Sequence, residues 1–328
     1  MDAILIILGI VILIIAGVVS RFIIIFYRNG NIADKKWETY KPEKIREMGS
    51  VNNFTLLPIV DWYVKNESFS GEAGVAWLVQ VDNNKILLDV GLNLHNEEES
   101  PLMRNMAVLN INTEGIDKIF ISHLHVDHVG GLAAQKGKTI RLTNREIDLS
   151  HATLYVPTPM VHPTANIELI EGPKVLMPGV ASEGPISRSL FIMGMIEEQA
   201  LVVNVKDKGL ILIVGCGHQG LKRIFERAES VFDIPIYGLI GGLHYPVTDS
   251  KIKLGKLPMQ KILGTGKLSW QNITKNEVEE SIEYLKSKNL RLLSISAHDS
   301  CDWTVEKFRK AFKDIYVDLK VGEPINIS

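Results

Sequence analysis

Every position from Ala3 to Val19 is apolar or glycine, and a second apolar run, Phe22 to Tyr27, follows Ser20 and Arg21. A helix needs roughly 20 apolar residues to cross a bilayer core, and this stretch supplies them if Arg21 snorkels its charge to the interface. The opening Met1-Asp2 lacks the basic region of a secretory signal, and Val18-Val19-Ser20 makes a poor cleavage site. A core helix this uniformly apolar would have little to pack against at the terminus. Residues 1–28 are therefore expected to form one transmembrane anchor. Arg21, Arg28, Lys35, Lys36, Lys41, Lys44 and Arg46 follow the span, against only the α-amine and Asp2 before it. That asymmetry places the remainder on the cytoplasmic side.

Residues 29–50 are polar, charged and without clear period, which predicts a juxtamembrane linker, and residues 51–328 are expected to form the folded domain. There, short apolar runs alternate with turns. Val75 to Val81 and Lys85 to Asp89 flank Asp82-Asn83-Asn84 as a hairpin. Lys118 to Ser122, Ile236 to Ile240 and Leu290 to Ser296 read as strands, and Leu201 to Val205 and Leu210 to Val214 flank a turn at Asp207-Lys208-Gly209. Thr274-Lys275-Asn276-Glu277 is a capping box that starts a helix carrying Val278, Ile282 and Leu285 on one face. Gly220 to Val231 and Val305 to Phe312 are two more helices. Many strands with interspersed helices predict a layered α/β domain.

Composition narrows the function. With 36 basic and 38 acidic residues and a net charge of −2, the chain lacks the basic balance of a nucleic-acid binder. Its two cysteines, Cys216 and Cys301, stand far apart and form neither a disulfide framework nor a four-thiolate zinc site.

The chemistry concentrates at residues 119–131, Ile-Phe-Ile-Ser-His-Leu-His-Val-Asp-His-Val-Gly-Gly. His123, His125, Asp127 and His128 are imidazole and carboxylate ligands suited to zinc, iron or manganese, placed directly after a strand. On extended backbone the two alternating histidines point to one side, and Asp127 and His128 follow where the chain turns. Gly130 and Gly131 permit a tight turn and close backbone approach. A solvated, histidine-rich loop is a poor alternative, since three of the chain's nine histidines fall in one hexapeptide.

This segment resembles the His-x-His-x-Asp-His signature of the metallo-β-lactamase fold superfamily. Lys85-Ile-Leu-Leu-Asp89-Val-Gly91 resembles the strand whose aspartate supports that site. Gly215-Cys216-Gly217-His218, Gly241-Gly242-Leu243-His244 and Ala297-His298-Asp299 are similar to motifs of a narrower, dihydropterin or ribofuranosylaminobenzene-phosphate synthase-like subgroup. The resemblance implies a four-layer αββα sandwich with metals at one edge. It implies His123 and His125 as ligands of a first metal, with Asp127, His128 and His298 as ligands of a second. His218 is expected to complete the first site, because Met177-Pro178-Gly179-Val180 offers no histidine where relatives provide one. Cys216 stands where many relatives carry a bridging aspartate, and a small buried residue is favoured there over a thiolate ligand. His244 is open as a ligand, a substrate contact or a proton donor, with substrate contact ranked first. His95, His151 and His162 match no motif. Asp299 follows the last histidine where the subgroup has cysteine, which leaves Cys301 without an expected role. Gly264-Thr265-Gly266-Lys267 resembles the tail of a phosphate loop, but Lys261 occupies the required glycine position and no strand–loop–helix context surrounds it.

The expected protein is thus a membrane-tethered hydrolase with two divalent ions, zinc first and manganese or iron as alternatives. A metal-bound hydroxide would attack an ester, lactone or phosphoester of a small molecule, with Asp127 orienting the nucleophile and His244 near the leaving group. The rival readings are a pterin-precursor synthase-like transferase and a sensor that binds metal or ligand without turnover.

Overall fold

Phe54–Val60, Ala76–Val81 and Asn84–Leu88 pair antiparallel, and the last two are joined by a tight turn in which Asp82 takes φ 48°. Lys118–Phe120, Thr153–Val156 and Asn166–Leu169 continue from Asn84–Leu88 in parallel, and Ile325–Ile327 closes the opposite edge of this seven-stranded sheet. A second sheet of six strands runs in the order Leu292–Ile295, Ile236–Gly241, Gly209–Val214, Leu201–Val205, Val180–Ser182, Lys174–Met177, with the first three parallel. This is a computed structural model, and it describes residues 2–328.

Strand alternation sorts the apolar side chains into layers. Val203, Val205, Ile211 and Ile213 face Phe54, Leu56, Trp77 and Val79 across the space between the sheets. Their neighbours Val202, Leu210, Leu212 and Val214 point outward against Ile224, Phe225, Ile282 and Phe308 of three helices, Leu221–Val231, Lys275–Lys286 and Asp302–Ala311. On the far side of the first sheet, Leu78, Leu87, Ile119 and Leu154 pack on Leu102, Met106 and Ala134. Three cores between four layers make the mixed α/β sandwich expected from the sequence. Burying a side chain such as Phe225 stabilises it by roughly 1.5–3 kcal/mol, so these layers supply the main driving force for folding. The capping box is formed as predicted: Thr274 accepts from the backbone of Glu277 and the Glu277 carboxylate accepts from that of Thr274.

The N-terminal helix departs from expectation. It runs unbroken from Asp2 to Thr39, so residues 29–39 are not a linker but the C-terminal part of that helix. Partners remote in sequence hold this part: Asp34 pairs with Arg223 at 2.7 Å, Lys36 with Glu197 at 2.9 Å, and Ala33 is buried. The Trp37 ring lies 5.3 and 5.2 Å from the guanidinium groups of Arg223 and Arg227. Residues 40–50 then run along the domain, with Met48 buried in its core. The helix docks on a hairpin, Ile186–Leu190 with Gly194–Glu198. Residues 3–21 are exposed along their length, and the helix is long and apolar enough to cross a membrane.

Candidate metal centre

Parallel strands gather their carboxyl ends at one edge, the usual place for a site in such sheets. Asp89 follows Asn84–Leu88, and His123, His125, Asp127 and His128 follow Lys118–Phe120. Cys216 and His218 follow Gly209–Val214, His244 follows Ile236–Gly241, and His298 follows Leu292–Ile295. Backbone bonds fix the histidine-rich segment, with Asp127 O accepting from Val75 and His128 O from Val90. All six expected ligands are buried and come together here.

They form two groups. Nε2 of His123 lies 3.0 Å from Nδ1 of His125, which lies 3.1 Å from Nε2 of His218. In the second group Nε2 of His128 lies 3.7 Å from Oδ2 of Asp127, while Cys216 Sγ is 3.0 Å from His128 Nε2 and 3.3 Å from His298 Nε2. Cys216 also falls within ligand distance of His123 and His218. Its sulfur therefore stands between the groups, where the resemblance implied a bridging carboxylate, and it is buried there as expected.

The donor chemistry fits cations. Ligands 2.0–2.1 Å from a tetrahedral ion lie about 3.3 Å apart, close to the spacings here. Four imidazoles have their far nitrogen held, as metal-ligating histidines characteristically do. His123 Nδ1 meets Ser122 Oγ at 2.9 Å, and His128 Nδ1 meets Asp89 at 2.6 Å. His218 Nδ1 meets the Gly264 carbonyl at 2.8 Å, and His298 Nδ1 meets Ser296 Oγ at 2.6 Å. Asp89 also accepts from the backbone and hydroxyl of Ser122, and Asp61 accepts from Ser296. Asp89 thus takes the supporting role the sequence suggested; Asp61 and Ser296 were not anticipated.

Burial pushes His123, His125, His218 and His298 well below the ordinary imidazole range, which keeps them in the neutral, ligating form. At His128 burial acts the same way but the Asp89 carboxylate outweighs it, and the group is pushed up to about 9. Burial, reinforced by the nearby carboxylate of Asp127, raises the Cys216 thiol well above its usual value. A thiolate there requires positive charge beside it.

Glu198 is the residue the sequence reading missed. Its Oε1 accepts the backbone N–H groups of Cys216 and Gly217 at 2.9 and 2.8 Å, and its Oε2 accepts that of His218 at 2.7 Å. One carboxylate therefore shapes the whole loop that presents the thiol and an imidazole. Burial raises it to about 7 despite these bonds.

His244 sits beside the first group, its ring 4.7 Å from that of His218. Its Nε2 donates to the carbonyls of Gln260 and Leu263 at 3.1 and 3.2 Å, and its Nδ1 is buried without a partner among the described residues. The carbonyls fix the proton on Nε2 and leave Nδ1 as an acceptor, so this arrangement suits a substrate contact better than a proton donor. Asp299 holds the backbone of His244 at 2.8 Å. His95, His151 and His162 belong to none of these groups, and Cys301 lies apart, against Thr248 and Thr304.

The centre opens into a cleft of about 380 Å³ lined by His218 and His244, by Arg188, Lys222, Arg223 and Lys267, and by Glu277 and Glu280. Arg223 and Lys267 are engaged with Asp34 and Glu277, whereas Arg188 makes no ion pair among the described residues.

Residues 70–140 match the family model of the metallo-beta-lactamase superfamily. The chain is 26% identical over 265 residues to the 7,8-dihydropterin-6-methyl-4-(beta-D-ribofuranosyl)-aminobenzene-5'-phosphate synthase of Methanocaldococcus jannaschii, covering 68% of this chain and 88% of that protein. An uncharacterized protein of the same organism is 28% identical over 201 residues, covering 54% of this chain and 75% of the other. Among solved structures, a metal-dependent hydrolase of the beta-lactamase superfamily superposes with a TM-score of 0.58 at 18% identity, covering 84% of this chain and 99% of that one, a likeness of fold. The segment that contains His123, His125, Asp127 and His128 thus matches the metallo-beta-lactamase superfamily model, and the fold as a whole is like that of a metal-dependent hydrolase of that superfamily.

Proposed function

We propose that the chain is a binuclear metal-dependent hydrolase acting on a phosphoester of a small molecule, held at a membrane by its N-terminal helix with the domain on the cytoplasmic face. The observation that carries this reading is the pair of ligand groups, each with its imidazoles fixed from behind. His123, His125 and His218 would hold one ion; Asp127, His128 and His298 would hold the other, with Cys216 between them. Divalent cations bound there supply the positive charge that acidifies a water and polarises the bond under attack.

The chain's own groups do the rest. Asp127 orients the attacking water and takes up its proton. His244 Nδ1 accepts a hydrogen bond from the bound substrate. The unpaired guanidinium of Arg188 receives phosphate oxygens, for which its planar fork is suited, and Lys222 adds charge. The exposed run of residues 3–21 and the cations that follow it support the membrane placement.

A second reading, a transferase that builds a pterin precursor, is favoured by the synthase relative at 26% identity. Both readings require a phosphate-bearing ligand. The deciding test measures metal content and turnover of bis(p-nitrophenyl) phosphate by the purified full-length chain. Close to two metals per chain, with turnover lost on chelation, supports the hydrolase. Metal without turnover favours the transferase or a sensor, and a chain that takes up no metal refutes the site.

A further inference from the structure

The cleft lies at the foot of the membrane helix, and two segments connect them. The strand Ile186–Leu190 carries Arg188 in the cleft and leads directly to Phe191, against which Phe22 and Phe26 of the helix pack with ring centres 6.4 and 5.9 Å away. The loop from Gly264, whose carbonyl meets His218, carries Lys267 in the cleft and ends at Trp270, 5.6 Å from Phe191. Ser189 Oγ donates to the Phe26 carbonyl at 2.9 Å, so the hairpin and the helix are joined at this level.

Around that junction stands an exposed apolar collar. Ile192, Met193 and Met195 at the hairpin tip are 49%, 40% and 38% exposed, and Trp270 is 58% exposed. The free apolar run begins at the same height: residues 3–21 extend about 27 Å at 1.5 Å per residue, close to one bilayer core. If the helix crosses a membrane, the collar is fixed at its surface, where tryptophan and apolar tips are at home. Cations, then, line the cleft directly beneath apolar residues at the bilayer's edge.

We infer that the hairpin tip and Trp270 sit in the membrane interface, and that the cleft takes the phosphate headgroup of a lipid-like amphiphile drawn from that leaflet while its alkyl chain stays in the collar. This names the substrate class of the phosphoesterase proposed above and rests on that reading for turnover but not for binding. Inorganic phosphate offers the same oxygens to Arg188 without a chain for the collar, so the two sources are separable.

The experiment uses the metal-loaded full-length chain in phosphatidylcholine nanodiscs. Discs made with brominated acyl chains should quench a tryptophan signal that Trp270→Phe removes; an unquenched Trp270 overturns the placement. Hexadecyl phosphate in the discs should show a broadened phosphorus resonance, and its apparent affinity should exceed that of inorganic phosphate by at least about tenfold, because its alkyl chain holds the phosphate in the leaflet beside the cleft. Met193→Glu, an exposed change that leaves the core intact, should weaken hexadecyl phosphate but not inorganic phosphate. Equal affinity for the two probes overturns the inference. Turnover is read separately with hexadecyl p-nitrophenyl phosphate, from which water releases p-nitrophenol and hexadecyl phosphate. Binding of hexadecyl phosphate without this turnover refutes the hydrolase and leaves the amphiphile site standing.

Discussion

The sulfur of Cys216 lies 3.0 Å from Nε2 of His128, a nitrogen whose partner across the ring is fixed by Asp89. A buried thiol in that place ionises only beside a cation, so coordination and thiolate formation are one event. Cobalt(II) substituted into the protein should therefore show a thiolate-to-metal charge-transfer band in the near ultraviolet. Cys216→Ser should abolish it. A cobalt protein without the band would remove Cys216 from the ligand set.

Loss of His123 or His125 should strip the first group of a donor that nothing nearby replaces, since both are buried and their neighbours would themselves be engaged as ligands. Replacing either with alanine should lower bound metal, measured by atomic emission, together with phosphodiester turnover. A variant with full metal content and full turnover would show that the site lies elsewhere.

Asp89 acts one step behind. Asp89→Asn keeps the size of the side chain but weakens the bond that holds His128 and loosens Ser122, which holds His123. Changes of this kind typically cost 10–100-fold in metal affinity or activity, and a competition titration with a chromophoric chelator should find a loss of about that size. Unchanged affinity would mean that His128 needs no such support.

Glu198→Gln puts an amide N–H₂ where at least one of three backbone N–H groups now finds an acceptor. Leaving a buried donor unmet costs about 1–3 kcal/mol, and urea denaturation should show destabilisation of that order. The loop bearing Cys216 and His218 should loosen with it, so metal affinity should fall in the same variant.

Glu183 supplies a pH dependence with a definite sign. It is buried, and burial pushes it from 4.5 up to about 8 even though Arg227 stands nearby. The folded state therefore holds a proton that the unfolded chain releases, and the associated stability is complete below about pH 4.5 and lost progressively as pH rises to about 8. Glu183→Gln should leave stability little changed at pH 5 and raise it at pH 8, as read from thermal melts. A gain that does not grow between those pH values would show that the carboxylate is ionised and paired throughout.

Local pattern revealed what local physics determines. The strand ending at Phe120 and the donors behind it share one short segment, and the capping box at Thr274 lies within four residues. Glu198 carries no such mark beside Glu197, yet strand alternation turns one toward Lys36 and solvent and the other into the buried loop of Cys216 and His218. Recognising that the hairpin Ile186–Glu198 is a strand pair would have separated the two. Asp61 and Ser296 meet across 235 positions of sequence, and the helix beyond Tyr27 continues because Arg223, Arg227 and Glu197 receive it. These are consequences of tertiary packing, which periodicity does not contain.

The carbonyls, hydroxyls and carboxylates that grip the imidazoles from behind belong to the strands and to the loops that follow them. Gathering several side chains from three distant segments would ordinarily consume much of the free energy of coordination as lost chain entropy. Here the same hydrogen bonds that order the imidazoles also tie the loops to the sheets, so part of that ordering would be met by folding and not by coordination. Affinity for a cation would then be governed chiefly by the chemistry of the donors.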